Sequence, residues 1–127
     1  MTTYKEAGVD VEKYDDVLSK IQRSVQSTFT KDVLHAATTF KMGGTLSLKK
    51  FKDYNEPVLV LSTDGVGTKM VIAEMMQKFD TIGADIVNHG INDILTGGGK
   101  PMFFLDYVAA AKLDSKIVEE IVRGVAA

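Results

Sequence analysis

The chain has no cysteine, only two prolines and no apolar run long enough to cross a membrane. The first absence excludes a disulfide framework, a thiolate metal site and a cysteine nucleophile within these residues, and it agrees with a reducing compartment. The start, Met1-Thr2-Thr3-Tyr4-Lys5-Glu6, lacks the apolar core of a signal peptide. The expected location is therefore cytoplasmic, with no membrane partner. An excess of one charge is missing too. Fifteen Lys and Arg against 17 Asp and Glu leave a formal net charge of -2, too balanced to build a field that attracts nucleic acid. The densest basic cluster, Lys49, Lys50 and Lys52, runs straight into Asp53 and Glu56 and reads as a solvated loop.

What is present is ordinary in bulk and uneven in pattern. With 127 residues, 45% hydrophobic and 25% charged, the chain has room for one globular core and little space for a second. Asp10 is placed to cap a first helix, whose stripe is Tyr14, Val17, Leu18, Ile21 and Val25. From Thr30 to Glu56 the periodicity is weak, with a Gly43-Gly44 pair and many lysines, as in a mobile or functional segment. Residues 1–56 thus read as a helix followed by a mobile loop, and residues 57–127 as the domain core.

Pro57 opens that core, and Val58-Leu59-Val60-Leu61 has the continuous apolar character of a buried strand. A helical pattern follows in which Val71, Met75 and Phe79 lie four apart with Ile72 and Met76 alongside; the methionines read as core filling. A further helix runs from about Thr81 to Thr96, stopped by Gly97-Gly98-Gly99 and kept from resuming by Pro101. Met102 to Ala110 reads as a second buried strand, interrupted by Asp106. Asp114 then caps a last helix with the apolar face Ile117, Val118, Ile121, Val122 and Val125. The order helix, long loop, strand, helix, helix, strand, helix gives an α/β or α+β class, with a small mixed sheet and helices packed on one face. So few strands need a partner to cover or extend them.

The segment with the most chemistry is Ser62-Thr63-Asp64-Gly65-Val66-Gly67-Thr68-Lys69. Gly65 and Gly67 let the backbone turn sharply and bring N–H groups close to an anion. Lys69 adds a point charge for a polyphosphate. A carboxylate at Asp64 repels such a ligand unless a cation lies between them, so it implies Mg2+. The alternative is a plain strand-to-helix turn with Asp64 as the cap. The segment is neither a P-loop nor a dinucleotide-binding fingerprint.

On the helix that follows, Thr81, Asp85, Asn88, His89, Asn92 and Thr96 share a polar face opposite Ala84, Val87, Ile91, Ile94 and Leu95. Asp85, Asn88 and Asn92 read as solvated. Asp93 sits at the edge of that face, in the last turns, where the macrodipole disfavours a negative charge. A local cost without a local gain marks it as a metal ligand. His35 and His89 read as isolated surface or packing residues. Asp106 is either a third metal carboxylate or a structural acid bonded to backbone.

Five blocks occur in a telling order: Tyr4-Lys5-Glu6-Ala7-Gly8-Val9-Asp10, Ser62 to Lys69, Asp80-Thr81-Ile82-Gly83, Asn92-Asp93-Ile94, and Pro101-Met102-Phe103-Phe104-Leu105-Asp106-Tyr107. Together they resemble the phosphoribosylformylglycinamidine cyclo-ligases, or aminoimidazole ribonucleotide synthetases, over almost the whole chain. The resemblance implies ATP- and Mg2+-dependent closure of the imidazole ring of formylglycinamidine ribonucleotide. It implies an ATP site at Asp64, Gly65, Gly67, Thr68 and Lys69, Mg2+ on Asp64 and Asp93, and no nucleophilic side chain. It also implies a homodimer in which the small sheet pairs with its twofold mate into a barrel. The fold resembles selenophosphate synthetase and thiamine-monophosphate kinase as well, so a related kinase or synthetase, or a non-catalytic assembly module, stands as the alternative. Three departures mark this chain. Gly43-Gly44-Thr45-Leu46 replaces a Gly-Gly-Phe segment, and His89-Gly90-Ile91 replaces Met-Cys-Val. The sequence also stops at Ala127, where the family continues into a carboxy-terminal half, the expected partner in catalysis.

Overall fold

The computed structural model describes residues 11–35, 44–110 and 112–127. The expected cap Asp10, the block Tyr4 to Asp10 and Gly43 lie outside these residues. The first stripe folds as read: α1 spans Val11–Ser27. Val17 is buried, with Ile21 and Val25 packed beside it, while Tyr14 stays half exposed.

The stretch expected to be irregular contains structure. β1 (Val33–His35) and β2 (Thr45–Leu46) form a two-stranded antiparallel sheet with Val33 opposite Leu46. A 3-10 turn follows at Lys49–Phe51. Asp32 ties the two together: its carbonyl accepts from the Ser47 N–H at 2.7 Å, and its carboxylate holds Lys50 Nζ at 2.8 Å. The lysine cluster is exposed as expected, but it belongs to an ordered turn whose Phe51 ring meets Tyr54 edge-on at 5.3 Å.

Both buried strands expected from the apolar runs require correction. Residues 57–66 and 101–110 make no strand pairing among the described residues. Val58 is 80% exposed, Leu105 77% and Tyr107 89%. A strand exists only where a neighbour accepts its hydrogen bonds, and no described segment offers one. Their contacts are with helix α3 (Asp80–Thr96). Val60 lies against Gly97 and Gly99 at its end, and the Phe104 ring lies over Gly90. The expected mixed sheet with helices on one face is thus replaced by helices packed on one another, with the small antiparallel sheet apart from the core.

That core is organised around α4, Ser115–Val125. Asp114 caps it, its Oδ1 accepting from the N–H groups of Lys116 at 2.9 Å and Ile117 at 3.4 Å. The apolar face is as read, and it splits in two. Ile117, Ile121 and Val125 turn toward Ala73, Phe79 and Ile82, while Val118 and Val122 turn toward Val17, Ile21 and Val25 of α1. The α3–α4 crossing is a backbone contact. A Cβ on Gly124 would run into the Asp80 carbonyl, and one on Gly83 would lie 2.7 Å from the Gly124 carbonyl carbon. Only glycine at both positions permits this approach.

The helix between loop and core, α2, covers Lys69–Met76 and is shorter than its pattern. Gln77 adopts a left-handed φ of 51° and ends it, so Phe79 is not the next turn of α2. Phe79 instead precedes α3 and is buried. Of the methionines expected to fill the core, Met70 packs against it beside buried Ala73, while Met75 and Met76 are exposed together with Val71 and Ile72. No described helix is long and apolar enough to cross a membrane.

Candidate functional site

Two chain segments far apart in sequence bring the carboxylates together. The loop 62–68 has no regular structure, yet it is anchored, because Val66 packs against the core formed by Ala73, Phe79 and Ile82. That contact fixes the residues on either side. Gly67 takes a φ of 60°, a conformation that favours glycine, and hands the chain to α2 at Thr68. The Gly65 N–H donates to Asp64 Oδ1 at 2.6 Å. A Cβ built on either glycine would find nothing within 4 Å, so both backbones face open space.

Across from the loop stand the last turns of α3. Its end is set by Gly98 at a φ of 73°, with the Gly99 N–H donating to the Ile94 carbonyl at 2.8 Å. His89 and Asp93 are one helical turn apart and face the loop. His89 Nε2 lies 3.0 Å from Asp64 Oδ2 and 3.8 Å from Asp93 Oδ2. Ser62 Oγ donates to Asp93 Oδ2 at 2.6 Å. One ligand atom from each of Asp64, His89 and Asp93 lies within 4.8 Å of the others. The Asp64 carboxyl is held below the usual carboxylate range, first by the Gly65 N–H and then by the hydrogen bond and charge of His89.

The expected pair Asp64 and Asp93 therefore meets. His89 does not fit its expectation as an isolated residue, because the loop folds onto its helix turn. The distance to Asp64 was beyond any local pattern, but the four-residue spacing to Asp93 was a readable signal. Asp106 is not a member of this group. Partial removal from water pushes its carboxyl up, and the Tyr107 N–H works weakly against that.

Lys69 turns toward α3 and lies 3.4 Å from Asp85 Oδ2. Both side chains are about half exposed, so the pair is a weak restraint, on the order of 1 kcal/mol or less, and leaves the ammonium free to swing. The pair sits at a groove of about 260 Å³ that also takes in Ile72, Met76 and Lys78. Asp85, read as merely solvated, is the resting partner of the loop lysine. In sum, two carboxylates and an imidazole flank a loop of open glycine backbone, with a cation one turn away.

Comparison with known proteins bears on the same residues. The pattern of the family described as AIR synthase related protein, N-terminal domain, matches residues 51–127. A phosphoribosylformylglycinamidine cyclo-ligase of Alkaliphilus oremlandii is 53% identical over 124 residues, which is 98% of this chain and 36% of that protein. The protein of the same name from Carboxydothermus hydrogenoformans is 48% identical over 124 residues, 98% of this chain and 35% of that one. For Thermoanaerobacter pseudethanolicus the identity is 44% over 123 residues, 97% and 35%. The chain spans about a third of the length of the curated relatives it matches. It belongs to the AIR synthase family and carries that family's amino-terminal domain.

Proposed function

We propose that the chain is the nucleotide-binding part of a phosphoribosylformylglycinamidine cyclo-ligase, acting with ATP and Mg2+ on formylglycinamidine ribonucleotide in purine biosynthesis. The observation that carries this is the meeting of Asp64 and Asp93 beside a glycine loop whose backbone faces open space. The donor set fits a divalent cation, since each carboxylate offers an oxygen and Ser62 orients one of them. Asp64 and Asp93 would hold Mg2+, which supplies neutralisation of polyphosphate charge when bound. The N–H groups of Gly65, Gly67 and Thr68 would receive phosphate oxygens. Lys69 would leave Asp85 to reach them as a point charge.

In the proposed reaction the formyl oxygen of the substrate takes the γ-phosphoryl group and ADP leaves. A nitrogen of the same molecule then attacks the activated carbon, the ring closes and inorganic phosphate departs. Such a sequence needs held geometry and balanced charge more than a nucleophilic side chain. The half-built site supports a division of labour: this chain holds nucleotide and cation, and the carboxy-terminal half of the enzyme completes the substrate pocket. The exposed apolar segments 57–66 and 101–110 support pairing with a twofold mate, each segment finding in the pair the strand partner it lacks here. A cytoplasmic enzyme fits this reading.

Calorimetric titration with Mg-ATP tests the nucleotide role. The wild-type chain should bind weakly, and Asp64→Asn and Lys69→Ala should each reduce affinity while leaving the helical circular dichroism unchanged. Unchanged Mg-ATP affinity in folded Asp64→Asn removes Asp64 from the site.

A further inference from the structure

The donor set at the loop does not suit Mg2+ equally in all its members. Mg2+ takes oxygen ligands, keeps its waters and gains little from an imidazole nitrogen, whereas the first-row transition ions accept one, Mn2+ the most weakly and Zn2+ more strongly. His89 is an imidazole within this group, with its Nε2 3.0 Å from Asp64 Oδ2 and 3.8 Å from Asp93 Oδ2. Ligands about 2.1 Å from a metal lie about 3.0 Å apart when adjacent on an octahedron and about 3.4 Å apart on a tetrahedron. The two separations fall in and just beyond that range, so a small rotation of exposed side chains brings all three atoms to one ion.

The ligands also come from two rigid supports. His89 and Asp93 are on one face of α3, a turn apart, and Asp64 is fixed by the anchored loop with its Gly65 hydrogen bond. The Ser62 hydroxyl on Asp93 supplies the kind of outer hydrogen bond that orients a ligating carboxylate. Lys69 rests on Asp85, outside the group.

We infer that His89 is a third ligand beside Asp64 and Asp93, making this a mixed nitrogen and oxygen site that prefers Mn2+ to Mg2+. The inference rests on the two aspartates being the oxygen ligands of the cation. It adds the nitrogen and, with it, the selectivity. In the order of divalent affinities, an added nitrogen donor strengthens the hold on first-row transition ions while giving little to Mg2+.

The experiment uses MnCl2 alone, without nucleotide, on the full chain, with free Mn2+ followed by electron paramagnetic resonance and MgCl2 as the competitor. Wild type should bind one Mn2+ that Mg2+ displaces only in large excess. His89→Gln should weaken Mn2+ by at least about tenfold, the lower end of what even an orienting partner of a ligand contributes, and should leave Mg2+ little changed. Electron spin-echo modulation from a directly bound nitrogen should be present in wild type and absent in His89→Gln. Asp93→Asn should weaken both ions. Circular dichroism establishes that each variant keeps its helices. Bound Mn2+ with no nitrogen modulation, or equal binding by His89→Gln, overturns the role of His89 while leaving the aspartates in place. Absence of Mn2+ binding, or binding indifferent to Asp93→Asn, overturns both.

Discussion

At the scale of single residues, charge is placed where backbone donors can use it. Asp114 accepts two N–H groups at the start of α4, and these hold its carboxyl below the usual carboxylate range, Lys116 first and then Ile117. An acid whose folded value is depressed stabilises the fold above its unfolded value, near pH 4. That contribution is lost as the pH falls through the folded value. Asp114→Ala should therefore lower the urea midpoint at pH 7, and the difference from wild type should shrink as the pH is taken below about 4. A difference that stays constant down to pH 2.5 or so would mean the cap acts by shape and not by charge. The Asp114 cap was legible because its pattern is local. So was the placement of Asp93, since an acid near a helix end carries a local cost. The contact of Asp64 with His89 was not, because it depends on how the loop is anchored by Val66. Only the spacing of His89 and Asp93 pointed toward it.

Among the elements, α4 was readable and α2 was not, for one physical reason. The α4 stripe is uninterrupted and follows a cap, so its period identifies its start and its apolar face, which the structure divides between two clusters. In α2 the four-residue spacing runs on through Met75 to Phe79 across a break made by Gln77, a residue type that does not advertise a left-handed turn. The strands expected at Val58 to Leu61 and Met102 to Ala110 failed differently. Apolar composition announces a surface that wants cover, but ladder partners are remote and composition does not supply them. The glycines at the α3–α4 crossing make the sharpest test at this scale. Gly124→Ala places a methyl group against the Asp80 carbonyl, with no flexible side chain able to give way. Forced separation of packed helices costs about 1–3 kcal/mol or more, a large share of the roughly 5–15 kcal/mol that holds a domain. Thermal unfolding of Gly124→Ala should show a midpoint lowered by several degrees; a midpoint equal to wild type would mean the helices do not meet as described.

For the whole molecule, exposed apolar surface and a half-built site tell the same story. Leu59, Leu61, Leu105 and Tyr107 stand in water on segments that have no strand partner among the described residues, and the loop 62–68 presents glycine backbone to open space. The chain spans about a third of the length of its curated relatives, and the proposed reading assigns the uncovered surface to a mate and a carboxy-terminal half. Family membership was legible in the sequence, where five ordered blocks from Tyr4 to Tyr107 carry the resemblance, and the packing was much less so. The central claim is that this chain holds nucleotide and cation for a ring closure completed elsewhere. Its most direct test measures conversion of formylglycinamidine ribonucleotide to aminoimidazole ribonucleotide by the chain alone, by a carboxy-terminal half from one of the relatives, and by the two mixed. The predicted result is turnover in the mixture only, with Mg-ATP present, and its loss when the chain carries Asp64→Asn. Turnover by the chain alone, or a mixture in which Asp64→Asn works as well as wild type, would contradict it.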